Sequence, residues 1–186
     1  MRFVLALWLL AGSGFAGAGT CPDAAPPWLE LEIVASEPAD VGPMRRIEIH
    51  DSGCVEVTYA RLDVRAGTYA FAIPGDELAA LAGAVADSGV RGFDAVSVRH
   101  ELEAVRELRA SLAPSGGIVY DVVCADTHRI VVREGGSEQV AAWYGLLPTA
   151  QRYGEVDSLS RLARFAQRLD DYSRDARVPL AVEVAR

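Results

Sequence analysis

Lysine and asparagine are both absent from the 186 residues, and all 18 basic residues are arginines. The double absence reads as a bias of the coding sequence and not as a functional signal. It still excludes any chemistry that needs a Schiff-base or P-loop lysine. The 26 acids outnumber the arginines and give a net charge of −8, so the chain lacks the electrostatic footprint of a general nucleic-acid binder. There is no G-x-S-x-G, and Ser52 and Ser88 sit in plain D-S-G turns. His100-Glu101-Leu102-Glu103 is not H-E-x-x-H. Glycine-rich triplets of the G-S-G and G-A-G type occur only before Cys21, so no phosphate-cradling loop and no cofactor is implied. Repeats and low-complexity blocks are missing, and an apolar fraction of 51% excludes a disordered tail protein. What remains is enough chain for one domain with an ordinary core.

The start of the chain carries the clearest signal. Arg2 is followed by the apolar run Val4–Leu10 and by small residues ending Ala16-Gly17-Ala18. Charge, short apolar stretch and an A-x-A-like site predict a secretory signal peptide over residues 1–18, cut after Ala18. A membrane anchor is the alternative, but the run is shorter than the roughly 20 residues a spanning helix needs. The predicted destination is the periplasm or the exterior. Cys21 raises a lipid anchor as a further alternative. Thr20 directly before it, and the lack of an aliphatic residue three positions before it, argue against that reading.

Three cysteines remain after the cut: Cys21, Cys54 and Cys124. In an oxidising compartment Cys54 and Cys124 are a candidate disulfide with Cys21 left over; the alternative is three separate thiols. Charge is uneven. Residues 19–94 carry 13 acids and 5 arginines, while residues 95–186 carry 13 acids and 12 arginines. The acidic half either faces a cationic partner or is a solvated face.

Residues 19–27 read as a flexible lead-in rich in proline and small residues. Residues 28–172 read as one α+β domain, and 173–186 as a tail or edge strand. Period-two alternation predicts strands at Leu29–Ile33, Ile47–Ile49, Val55–Tyr59 and Tyr69–Ile73, with a hairpin turn at Asp51-Ser52-Gly53. Helices are expected from Pro74 to Gly89, from about Ser97 to Leu112, and from Asp157. Further strands are expected near 118–123, 128–133 and 139–144, and a short one over Pro179–Val184. Hairpin-length links and grouped strands and helices predict a single antiparallel sheet with about three helices on one face.

Within this order, I-H-D-S-G-C-V-E-V-T-Y-A (Ile49–Ala60), I-P-G-D-E-L-A-A-L (Ile73–Leu81), D-x-H-R-I-V-V (Asp126–Val132) and W-Y-G (Trp143–Gly145) stand out. The sequence resembles an uncharacterised family of small exported bacterial domains, in which a hairpin, an E-E-L-type helix and a Y-G element follow in that order. The resemblance spans roughly residues 29 to 172. It departs where that family carries C-F-G-x-C-P-x-Y: of this motif only Pro43 remains. The resemblance implies an exported setting and no particular activity.

Two functional classes follow. The first is a non-enzymatic module that binds another protein of the bacterial cell envelope, with Trp143 on a strand as a candidate contact. The second is an envelope hydrolase or metal-dependent enzyme. For it, Asp126 and His128 share one strand face and would have to be joined by His50. Neither reading has a closed set of catalytic, cofactor or metal-binding residues. Arg161, Arg164 and Arg168 form a basic stripe on the last helix, with Asp157, Asp171 and Asp175 placed to pair with it.

Overall fold

Apolar side chains alternating with polar ones make the strands around Leu31, Ile47, Val57 and Ile130 two-faced ribbons, and they meet with their apolar faces aligned. The computed structural model describes residues 17–18, 21, 25–36, 42–112 and 125–178. Its strands are β1 (Gly17–Ala18), β2 (Leu29–Val34), β3 (Pro43–Ile49), β4 (Cys54–Tyr59), β5 (Gly67–Ala72), β6 (Thr127–Glu134) and β7 (Ser137–Tyr144). They lie in the order β1-β5-β4-β3-β2-β6-β7, antiparallel throughout. Six strands are of ordinary length; β1 is a two-residue pairing on β5.

The helices are α1 (Gly75–Ser88), α2 (Ala95–Leu112), α3 (Leu146–Arg152) and α4 (Asp157–Asp170), with a 3₁₀ turn over Asp171–Arg174. The α+β class is therefore as expected, with one helix more than the sequence signals. α4 packs on α1, on α3 and on β2, while α2 rests on β7. Leu159, Leu162 and Leu169 of α4 close over Leu29, Leu31, Ile47, Val57 and Ile130 of the sheet. The expected strands at 118–123 and 179–184 lie outside the described residues.

α1 ends where the sequence says it should, at Gly89 with φ +77°. The stripe predicted for α2 holds only at its start. Val98 and Leu102 are buried, Val105 partly so, but Leu108 and Leu112 are exposed.

The hairpin turn between β3 and β4 depends on Gly53. Its φ is +80°, and an added Cβ would lie 3.1 Å from the Ile73 carbonyl oxygen. Gly53 also donates its N–H to His50 O and accepts from the Ile73 N–H, both at 2.9 Å. A Gly53→Ala chain is expected to lose about 1–2 kcal/mol of stability in denaturant titration; a loss below a few tenths would mean that the turn relaxes freely.

The outer face of the sheet, opposite the helices, is a lattice of arginine and glutamate. Arg46 and Arg129 reach Glu32 at 2.5 and 3.1 Å, and Arg133 reaches Glu30 at 3.0 Å and Glu138 at 2.9 Å. Glu30 and Glu32 of the acidic first half are thus met by Arg46 of the same half and by Arg129 and Arg133 of the second. The charge asymmetry seen along the sequence is partly balanced within the sheet, which weakens it as an argument for a cationic partner.

Candidate functional site

The expected acid–base residues fall at two ends of the sheet. His128 pairs with Ile33 of β2, on the helix-covered face. Ile49 pairs with Leu29, so His50 follows one row beyond it. The two imidazoles are five rows apart, roughly 16 Å along the strands at about 3.3 Å per residue. His50 groups with Cys21 and Glu56, and Glu56 belongs to the outer, arginine-lined face. The sheet therefore does not bring His50 to Asp126 and His128, and a metal site joining the three is not formed. The distance between zinc and a nitrogen ligand, about 2 Å, leaves no room for such a span.

Asp126 and His128 do lie together. His128 is 6% exposed and its side chain is set among apolar neighbours Ile33, Ile130 and Trp143 by the register. Burial holds its imidazole below the ordinary value; Asp126 and Asp170 act in the opposite sense, and Arg45 adds to the lowering. The proton is therefore bound less readily in the folded chain than in the unfolded one, where histidine titrates near 6.5. The stabilising contribution is complete above that value and is lost as pH falls below it toward the lower folded-state value. The stability difference between wild type and His128→Gln, read by denaturant titration, should shrink from pH 7.5 to pH 5.5. A difference that stays level or grows would contradict the burial argument.

Next to His128 is a polar cluster that no local signal announces. Arg45 Nη1 of β3 donates to Asp170 Oδ1 and to Ser173 Oγ, each at 2.6 Å. Arg174 reaches Asp170 Oδ2 at 2.6 Å, and Tyr59 and Arg65 donate to the Ser173 carbonyl. This cluster ties the end of α4 to β3 and β4. It is filled by its own hydrogen bonds, which is what a structural network looks like.

Trp143 turns inward. Its ring meets Phe93 edge-on, with centroids 6.3 Å apart. Its neighbour Tyr144 points the other way and is 46% exposed, its hydroxyl accepting from the Ala125 N–H at 3.1 Å. Both border a cleft of about 410 Å³ between α2 and β7, lined also by Arg99, Leu102, Arg106 and Thr149. Arg106 lies over the Tyr153 ring, 5.4 Å from its centroid.

The basic stripe is paired only in part. Arg161 meets Asp157 at 3.0 Å, as the spacing predicts. Asp171 pairs instead with Arg174, and Asp175 with Arg177. Arg164 and Arg168 have no ion pair among the described residues, and with Arg161 they line a cleft of about 280 Å³ beside the end of α1. None of these clefts is lined by Asp126 or His128.

The cysteine expectation is corrected. Cys54 is bonded to Cys21, with Cα atoms 5.9 Å apart, and not to Cys124, which lies outside the described residues. The reason is register. Cys54 starts β4 on the outer face, and the Cys21 N–H donates to Glu56 Oε2, two residues along, at 2.8 Å. The lead-in is thereby fastened to the sheet at Cys21. No helix among the described residues is long and apolar enough to cross a membrane.

The chain matches no protein-family model, no curated protein and no solved structure.

Proposed function

We propose that the chain is an exported, non-enzymatic binding module of the cell envelope, and that its contact surface is the cleft between α2 and β7. One observation carries the reading. Among the described residues, seven large apolar side chains are exposed, and five of them lie on these two elements: Val96, Leu108 and Leu112 on α2, and Val140 and Tyr144 on β7. Tyr144 lines the cleft beside the guanidinium groups of Arg99 and Arg106, and exposed apolar and aromatic side chains together with arginine match the composition of protein interfaces. The partner would be an envelope protein that offers an apolar ridge flanked by carboxylates. Export rests on the signal-peptide pattern and on the family resemblance, and the disulfide is compatible with it.

The hydrolase reading retains buried His128 beside half-buried Asp126 as its support. A residue that must pick up and return a proton needs a substrate within hydrogen-bond reach, and the clefts described above do not offer His128 one.

The test is cross-linked co-purification from the envelope with a C-terminal tag. A Tyr144→Ala/Leu108→Ser chain should recover its partner about tenfold less well or worse, since buried aromatic anchors dominate such contacts, while its melting temperature stays near wild type. Equal recovery by the variant would move the contact surface elsewhere.

A further inference from the structure

We propose that the reduced chain holds one zinc ion between Cys21 Sγ, Cys54 Sγ, the His50 imidazole and the Glu56 carboxylate, and that closing the Cys21–Cys54 disulfide expels it. The site is separate from the α2–β7 cleft and does not depend on the binding-module reading.

Three features of the fold assemble these donors. The first is the turn at Gly53. It brings His50 and Cys54 opposite each other, with the His50 N–H donating to the Cys54 carbonyl at 2.9 Å. Residues so paired on a hairpin project to one face. The second is the strand period, which puts Glu56 on the same face as Cys54, two residues along. The third is the position of Cys21: its sulfur, a ligand nitrogen of His50 and a carboxylate oxygen of Glu56 all lie within 4.8 Å of one another. Cys54 Sγ is bonded to the Cys21 sulfur and so lies beside the same point.

With the Cys54 sulfur released beside the three converging donors, two sulfurs, one imidazole and one carboxylate would make up the four-donor set that zinc takes in tetrahedral sites. The local charge also favours a cation. Glu56 stands opposite Glu48, and Glu48 opposite Glu30, so three carboxylates run side by side across β4, β3 and β2. Like charges directly opposite repel. Arg133 and Arg46 answer Glu30, at 3.0 and 3.5 Å, and lie toward that end of the row. A dication at Glu56 would answer the other end.

Two electrons decide between the states. A dithiol reductant gives two electrons and two protons to the Cys21–Cys54 bond, leaving two thiols on the chain and a cyclic disulfide on the reductant. Zinc then displaces both thiol protons and binds the two thiolates. Oxidation by a disulfide-class oxidant reverses this: the sulfur–sulfur bond re-forms, the electrons pass to the oxidant and the ion leaves. Metal loading would thus report the thiol redox state around the protein, with Cys21 held to the sheet in either form.

The experiment titrates the full-length chain with zinc under anaerobic conditions, once oxidised and once reduced by a dithiol that is then removed. Cobalt(II) serves as a coloured stand-in whose thiolate absorption reports sulfur ligation. The reduced chain should take up one equivalent with thiolate-type absorption, and the oxidised chain none. His50→Gln and Glu56→Gln should each weaken uptake by about tenfold or more, while Cys124→Ser leaves it unchanged. Zinc should also raise the melting temperature of the reduced wild type, which keeps the test decisive should a variant fail to fold. Equal uptake by the oxidised and reduced chains, loss of uptake in Cys124→Ser, or no thermal shift of the reduced wild type would overturn the proposal.

Discussion

Replacing Asp170 by alanine should cost about 3–5 kcal/mol of folding stability, the range for stripping one partner from a buried ion pair. Asp170 closes α4, where the helix dipole disfavours a carboxylate. It is kept there by what it holds. One oxygen accepts from Arg45 of β3 at 2.6 Å, the other from Arg174 at 2.6 Å, and the Asp170 side chain is only 12% exposed. Without it the Arg45 guanidinium, 22% exposed, keeps its charge and retains Ser173 as a neutral partner. Arg174 is largely exposed, so its bond to Asp170 adds little. Asp170→Asn, which preserves an acceptor and drops the charge, should fall between wild type and Asp170→Ala. Urea titration of the three chains reads the order. A loss below about 1 kcal/mol in Asp170→Ala would mean the cluster is solvated in practice and does not anchor α4.

The second large effect is expected from the disulfide. A bridge that spans 33 positions should stabilise the fold by about 3–4 kcal/mol in the chain-entropy account, because it removes loop freedom from the unfolded state. Cys54→Ser and Cys21→Ser should therefore lose similar amounts, and the double substitution no more than either alone. Cys124→Ser should change stability little. Non-reducing peptide mapping should recover Cys21 and Cys54 in one linked fragment. Recovery of Cys54 linked to Cys124, with Cys124→Ser as costly as Cys54→Ser, would overturn the pairing.

Much of this molecule is legible from one dimension because its signals are local. The alternations around Leu31, Ile47 and Val57 give β2, β3 and β4, and Gly53 and Gly89 mark a turn and a helix end where the backbone needs a positive φ. α3 was not legible. It is seven residues long, carries Pro148 in its first turn, follows Gly145 in a left-handed conformation and has no side-chain cap. Such a helix is held by packing, through Leu146, Thr149 and Ala150, and by no sequence device. The α2 stripe was legible but misleading: helical periodicity shows which residues share a face, not how far a neighbour extends to cover them. Leu108 and Leu112 continue the period after its cover ends.

The site features were harder for one reason, which is sequence distance. Arg45 and Asp170 are 125 positions apart. The glutamate row depends on how three strands are registered, and one residue of slip would send it to the other face. Cys21 sits in a stretch of prolines and small residues that promises no fixed position. Asp126 lies just before β6 beside His128, as neighbours in sequence must, but only the sheet could tell that His50 lies on the other side and at the other end.

The surface between α2 and β7 is expected to meet a partner. A photo-crosslinking amino acid placed at position 144, on the exposed edge of that cleft, tests it in the intact cell envelope. The same residue at position 61, exposed in the β4–β5 turn, serves as control. One discrete higher-mass adduct is expected from position 144, absent from position 61 and lost when Leu108 is replaced by serine. Adducts of equal yield from both positions, or an adduct from position 61 alone, would contradict it.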